Sequence, residues 1–546
     1  MIYGDIFLII LEIVLCVICY FLAGYATVAL NSKWKLIFAL PSIVCIAGLA
    51  GVGFEISLIG AYIGSFLMLI GFFCEAKNKR QITAIASALL IALSFPAAML
   101  YKGYRAPDYL AEFEEGFNVM KEHYDMTEQK AIDWDALYDK YKPEFAKVNK
   151  SHDEVENFIL WTQFCNEFHD GHVGYNASEE IVNKAMDNMY GNDYGLSLVR
   201  GEDGSILAVN VEPDGKASKE GIKNGTRIIT WDNIPVEQLI QEFDLPLYMG
   251  TPVKENEEFL KPIHAAGQGG ESVEVGFVDD TGATRTVRLE KTGTYRERLI
   301  KTLDLIMAGR IESNLTVTRL DENTACLRLS EMIYDSRSSE NGDYNTMYEE
   351  LKAKLEEQKK DGVTNLVIDL RSNHGGDPGF ITQIFKLLSP EGEHKYAYSG
   401  VWDDEKKEFM YDEATGKYVV GECTTYEGEN LWGDGQIVLL VNAFCISAGD
   451  HFTEVMSVFD NVTVMGFTTT NCSGQAVRGV QFEKGILQFS TVPTLNEDGS
   501  IFIDTGVDRT ATIELDVKIP FDETAAKAVF DEERDYAMEY VLDFIE

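Results

Sequence analysis

The sequence predicts an α/β protein preceded by a strongly apolar region. Three observations predict it. From Thr316 onwards, apolar runs of strand length alternate with amphipathic stretches of helix length, the pattern of a mixed α/β core. Further back, 206–211 reads as a strand and 272–290 as a β-hairpin. The first hundred residues hold four apolar runs, each of about the twenty residues a helix needs to cross the hydrocarbon of a bilayer.

Taken in order, the apolar runs cover 6–30, 34–54, 56–74 and 82–101, and they predict a bundle of four transmembrane helices over 1–101. The start, Met1 to Asp5, has no basic residue, unlike a cleaved leader. Lys33 and Lys35 follow the first run, and Lys77, Lys79 and Arg80 follow the third. Basic loops stay cytoplasmic, which predicts a multi-pass plasma-membrane protein whose remainder is extracellular. Lys102 and Arg105 weigh on the other side. Glu12, inside the first run, is read as reaching the membrane interface.

The net charge is −41. Residues 1–105 hold seven of the 47 Lys/Arg and four of the 88 Asp/Glu, so the rest of the chain carries −44. So acidic a surface excludes nucleic acid as a partner. Of the nine cysteines, Cys16, Cys19, Cys45 and Cys74 lie in apolar runs. The remaining five form no CxxC pair, so the sequence predicts no metal site, no redox motif and no cofactor.

Residues 102–185 predict helices. Phe113, Phe117, Met120 and Tyr124 recur at helical spacing, and Asp133-Trp134 opens a second helix. Ser151-His152-Asp153-Glu154 is a start signal for a third. That helix runs into Phe168-His169-Asp170-Gly171-His172. Further on, 206–211 reads as a strand, and 272–290 as a hairpin turning at Asp280-Thr281-Gly282.

Two stretches carry chemistry. In the first, the buried run Ile437 to Val441 is followed by a turn, and Ser447-Ala448-Gly449-Asp450 opens a helix. A hydroxyl there stands beside first-turn N–H groups that have no intrahelical partner. Those groups and the helix dipole suit a developing oxyanion. On the residues alone, Ser447 is either a nucleophile or an N-cap. In the second stretch, the strand Leu366 to Ile368 leads into Asp369-Leu370-Arg371-Ser372-Asn373-His374-Gly375-Gly376. The paired glycines allow close backbone approach to a ligand, and Asp369 with Arg371 forms a charge-assisted pair.

Together, DLRSNHGG and the Ser-Ala-Gly-Asp turn resemble the C-terminal processing and tricorn-core serine peptidases. The resemblance implies a ClpP/crotonase-like core over 296–546, a helical part over 102–185 and an inserted PDZ-like domain over 186–295. It implies Ser447 as nucleophile, with N–H groups of Gly375, Gly376 and Ala448 as the oxyanion hole. In the PDZ-like domain, Tyr194-Gly195-Leu196-Ser197-Leu198 is similar to a carboxylate-capturing loop, which implies that Gly195, Leu196, Ser197 and Leu198 bind a substrate C-terminus. Ala217 to Ile229 also matches that module, with Glu220 and Thr226 departing from it.

The base separates two branches of the family. There is no lysine between Ser447 and Lys484, so a Ser–Lys dyad fails. Asp170-Gly171-His172-Val173 is similar to the turn that carries the histidine base of the tricorn-like branch, which implies His172; His374 and His451 compete. The third member falls on Asp504, one residue out of register. The serine that precedes the histidine in that branch is here Gly171, and Ser473 is the substitute. The resemblance implies a serine endopeptidase, and the apolar runs with their basic loops add that it is membrane-anchored and acts on extracytoplasmic polypeptides. The alternative is a weakened or inactive homologue that binds peptides or other ligands.

Overall fold

The computed structural model describes residues 77–104, 107–243, 251–308 and 314–546, with 18, 41–43, 62–67 and 70. Two compact units divide at Asp108. In the first, helix α1 (Lys77–Tyr104) is the one long element described. Among the described residues, no helix is long and apolar enough to cross a membrane. This corrects the expected four-helix transmembrane bundle, and with it the multi-pass plasma-membrane placement and the extracellular peptidase domain. The first two runs lie almost wholly, and the third mostly, outside the described residues. The fourth falls within α1, which carries Lys77, Lys79, Arg80 and Lys102 near its ends and runs on through Pro96.

The second unit opens with helices α2 (Tyr109–His123), α3 (Trp134–Ser151) and α4 (Glu154–Asn166). Asp133 caps α3 by accepting the Ala136 N–H at 2.9 Å, and Asp153 caps α4 through the Val155 and Glu156 N–H groups. The periodic aromatics meet in one core. Phe113 stacks on Phe145 with centroids 4.3 Å apart, and Trp161 stacks on Tyr175 at 5.3 Å. Tyr175 belongs to strand β1 (Gly174–Ala177), which begins two residues after His172.

An antiparallel sheet follows, of β2 (Ser197–Arg200), β3 (Ile206–Val209), β4 (Arg227–Trp231), β5 (Ser272–Val278) and β6 (Thr284–Glu290), in that order. Helix α5 (Lys254–Ala265) packs against β2. The hairpin expected over 272–290 is β5–β6, turning at Asp279 to Gly282.

The core sheet has six strands: β7 (Thr316–Arg319), β8 (Thr324–Arg328), β9 (Asn365–Asp369), β10 (Ile437–Leu440), β11 (Val462–Gly466) and, after two further strands described next, Val517–Lys518. The β7–β8 pair is antiparallel and the rest run parallel. All four β10 residues are buried, as befits a strand covered on both faces. A third sheet, in the order β1–β13–β12, joins the helices to the core through β12 (Ala476–Gln481) and β13 (Gly485–Val492).

In open α/β sheets, ligands bind beyond the carboxyl ends of the parallel strands. Here β9, β10 and β11 are adjacent and parallel, so the glycine loop, the Ser447 turn and the loop 467–475 all emerge at that one end. Pairing of Gly174 with Gln488 brings β1, and with it His172, to the same region.

Candidate active site

Ser447 sits at φ +63° and ψ −119°, ahead of helix α6 (Ala448–Ser457). A non-glycine residue there costs about 1–3 kcal/mol and persists only when its surroundings over-determine it. They do so here: its N–H donates to the Ser473 carbonyl at 3.1 Å and to Asp450 Oδ2 at 2.9 Å. Asp450 also accepts the N–H groups of Cys472 and Ser473, at 2.8 and 3.0 Å. One buried carboxylate thus ties the serine to the loop 467–475. Burial pushes Asp450 up to about 7, against the lowering effect of the donors around it.

The glycine loop lies directly on the serine. A Cβ on Gly375 would stand 2.6 Å from Ser447 Cβ and 3.1 Å from the Ala448 nitrogen, so only glycine fits. The Gly375 N–H is turned inward to Asn373 Oδ1 at 2.9 Å. Gly376 bridges in parallel to Met332, and the bridge bonds are made by the Gly375 carbonyl and the Asp377 N–H. The N–H of Gly376 itself therefore points to the opposite side. The Ala448 N–H is in the first turn of α6 and has no intrahelical acceptor. The loop is locked from beneath by Arg371, which donates to Asp369 at 2.7 and 2.9 Å and to Asp535 at 2.7 Å.

His172 is buried, and burial lowers its pKa, while the Asp170 carboxylate and the Gln475 backbone raise it. Among the described residues its Nδ1 has no hydrogen-bond partner. Asp170 Oδ1 accepts the His172 backbone N–H at 2.8 Å, and Oδ2 accepts from Ser490 Oγ at 2.9 Å and Tyr124 Oη at 3.1 Å. One loop thus reaches both turns: the Ser473 carbonyl accepts the Ser447 N–H, and the Gln475 backbone raises the pKa of His172.

The competing histidines are placed otherwise. His374 is exposed in the glycine loop. His451 is buried, with Nε2 2.6 Å from the Gly474 carbonyl and Nδ1 2.5 Å from Tyr396 Oη. A carbonyl only accepts, so Nε2 carries the proton and Nδ1 accepts from the tyrosine. Neither ring nitrogen is left for substrate, and burial pushes the ring down to about 4.

Asp504 is ion-paired with Lys130 and also accepts the Gly506 N–H at 3.0 Å. Burial pushes it up to about 6, with Lys130 lowering and Asp170 raising it. Lys130 holds this corner together, donating also to the His169 carbonyl at 2.9 Å and to Thr505 Oγ1 at 3.0 Å. Asp170 is a carboxylate whose charge raises the pKa of the His172 ring. Sequence reasoning passed over Asp170, Lys130 and Gln475; the acid two positions before the histidine was the available signal.

Gly195, Leu196, Ser197 and Leu198 are all buried. Ser197 Oγ lies 2.5 Å from Tyr295 Oη, which in turn donates to the Ile263 carbonyl of α5 at 2.7 Å. Ser197 and Leu198, on β2, thus lie against α5. Among the described residues, no cluster of His, Cys, Asp or Glu is able to hold a metal ion.

A strained serine on a strand–helix turn, under a glycine loop and beside first-turn N–H groups, defines a serine hydrolase site. The comparisons narrow it. Residues 323–513 match the model of Peptidase family S41, and residues 106–157 that of the Tricorn protease C1 domain. The chain is a serine peptidase with an S41-like region, and Ser447 and the glycine loop both fall inside the matched residues. Among solved structures it is similar to mature CPAF, at 13% identity and a TM-score of 0.52 over 80% of this chain and 97% of that one. It is also similar to mature CPAF complexed with lactacystin, at 13% identity and 0.50 over 80% and 98%. At that identity the likeness speaks for the fold. No curated protein matches the chain.

Proposed function

We propose that the chain is an endopeptidase in which Ser447 attacks the peptide carbonyl and His172 takes its proton. The N–H groups of Gly376 and Ala448 receive the oxyanion, and Asp170 stabilises the imidazolium that forms. Gly375 acts by its lack of a side chain, because its own N–H is spent on Asn373. Asp504 supports Asp170 from the Lys130 corner. The carrying observation is the Gly375–Ser447 contact: a Cβ there would stand 2.6 Å from the serine's own, which puts the loop's backbone against the reacting hydroxyl.

A fluorophosphonate probe tests this reading. Labelling at Ser447, lost in Ser447→Ala together with cleavage of an unfolded protein, supports it. Intact chain without labelling would favour the ligand-binding alternative.

A further inference from the structure

Strand β12 starts at the active site and runs to Gln481, after which Phe482 turns the chain back onto Trp161. Its root is Gln475, the residue whose backbone bears on His172. Gln475 is itself fixed: its Nε2 donates to the Ile503 carbonyl at 3.0 Å and its Oε1 accepts the Thr494 N–H at 2.6 Å. Two residues earlier, Ser473 holds the N–H of Ser447. From this anchor β12 runs outward as Ala476-Val477-Arg478-Gly479-Val480-Gln481, and every residue but Val480 is exposed.

It is also an edge. The sheet order is β1–β13–β12, so β13 takes one side of the strand, and among the described residues no strand takes the other. Folded proteins usually blunt such edges with lysine, proline or a bulge. Here the bulge lies at the root, between Ala476 and Val477, and the rest pairs regularly with no lysine or proline. Six residues give an open edge about 20 Å long that leads directly away from the catalytic pair.

We infer that β12 is the substrate platform: the polypeptide to be cleaved lies along its free edge as an added strand, which carries the scissile bond to Ser447. This rests on the endopeptidase reading above. The occupant is an extended, unfolded segment recognised by its main chain, with alternate side chains turned to either face. Recognition by backbone accounts for a platform whose own side chains are small or apolar apart from Arg478 and Gln481.

The test separates binding from chemistry. Fluorescent octapeptides are selected from a random library for binding to the Ser447→Ala chain, and each backbone amide of a selected peptide is then N-methylated in turn. Strand addition expects Kd to rise roughly five- to tenfold at every second position and to stay level between, because the lost contacts are single main-chain hydrogen bonds. Val477→Pro and Gly479→Pro should weaken the same peptide while the thermal midpoint holds. An N-methyl series without the two-residue period, or a library that yields no binder, overturns the proposal. So does a chain dimer that dissociates on Gly479→Pro, since the edge would then belong to a second copy. Absence of fluorophosphonate labelling would sink the serine mechanism alone and leave this readout intact.

Discussion

Ser473 Oγ accepts the N–H of Gly171 at 2.8 Å, across 302 positions of sequence. The histidine-bearing turn and the serine-bearing loop meet at this bond. A side chain on Gly171 has no room, because a Cβ would fall 1.9 Å from Asn471 Oδ1. Gly171→Ser should therefore push His172 off its seat. We expect kcat/KM to fall by about 10²-fold or more, since misplacement of a base by an ångström costs that much, with a stability loss of about 1–3 kcal/mol from overpacking. Kinetics and thermal unfolding on one variant check both.

A second prediction concerns pH. Burial lowers the pKa of His172 and the Asp170 carboxylate raises it. A base works only when unprotonated, so the acid limb of kcat/KM should lie below the ordinary histidine value of about 6.5. Asp170→Asn removes the raising influence, and the limb should move further down. The rate on the plateau should also drop, because the imidazolium loses its counter-charge. A limb that stays in place while the plateau drops would leave Asp170 a purely structural role.

How much of this was legible in the sequence follows from chain separation. Ser447, Ala448 and the Asp369–Arg371 pair sit within a few residues of a strand end, and local pattern is enough to find them. The ion pair that ties Asp504 down was not legible, because its partner Lys130 comes from the helical part and reaches Thr505 across 375 positions. Nor was the cover over Gly195 to Leu198, since Tyr295 lies 98 positions from Ser197. The apolar runs of the first hundred residues gave length and hydrophobicity, and these were read as membrane spans. Those quantities do not by themselves establish a span, and among the described residues no helix meets the requirement.

A third prediction tests how the inserted sheet is coupled to catalysis. Asn256, fully buried on α5, donates from Nδ2 to the carbonyls of Thr469 and Thr470 at 3.0 and 2.9 Å. These residues begin the loop that holds Ser447 and His172. Asn256→Ala leaves two buried carbonyls unpaired, at about 1–3 kcal/mol. It should lower kcat about tenfold or more with little change in KM, because the contact lies behind the loop and away from substrate. An equal loss in kcat and in fluorophosphonate labelling rate would place the effect on serine geometry. Unchanged kcat would disconnect α5 from the chemistry.

The last prediction concerns stability and runs opposite to the usual cost of altering a core. His264, on α5, is fully buried against Tyr190 with ring centroids 5.3 Å apart, and neither ring nitrogen has a partner among the described residues. Burial pushes its pKa down to about 3. In the unfolded chain the ring titrates at about 6.5. Below that pH the unfolded state binds a proton that the folded state refuses, so this group contributes stability above pH 6.5 that is lost as pH falls towards 3. Phenylalanine keeps the ring and removes both the unpaired nitrogens and the titration. His264→Phe should match or exceed the parent at pH 8. Its advantage should then grow between pH 6.5 and 4 at up to about 1.4 kcal/mol per pH unit. Urea unfolding of both chains across that range measures the difference, in which the other buried titrating groups cancel. A constant difference would mean that His264 finds a partner or a proton in the folded state.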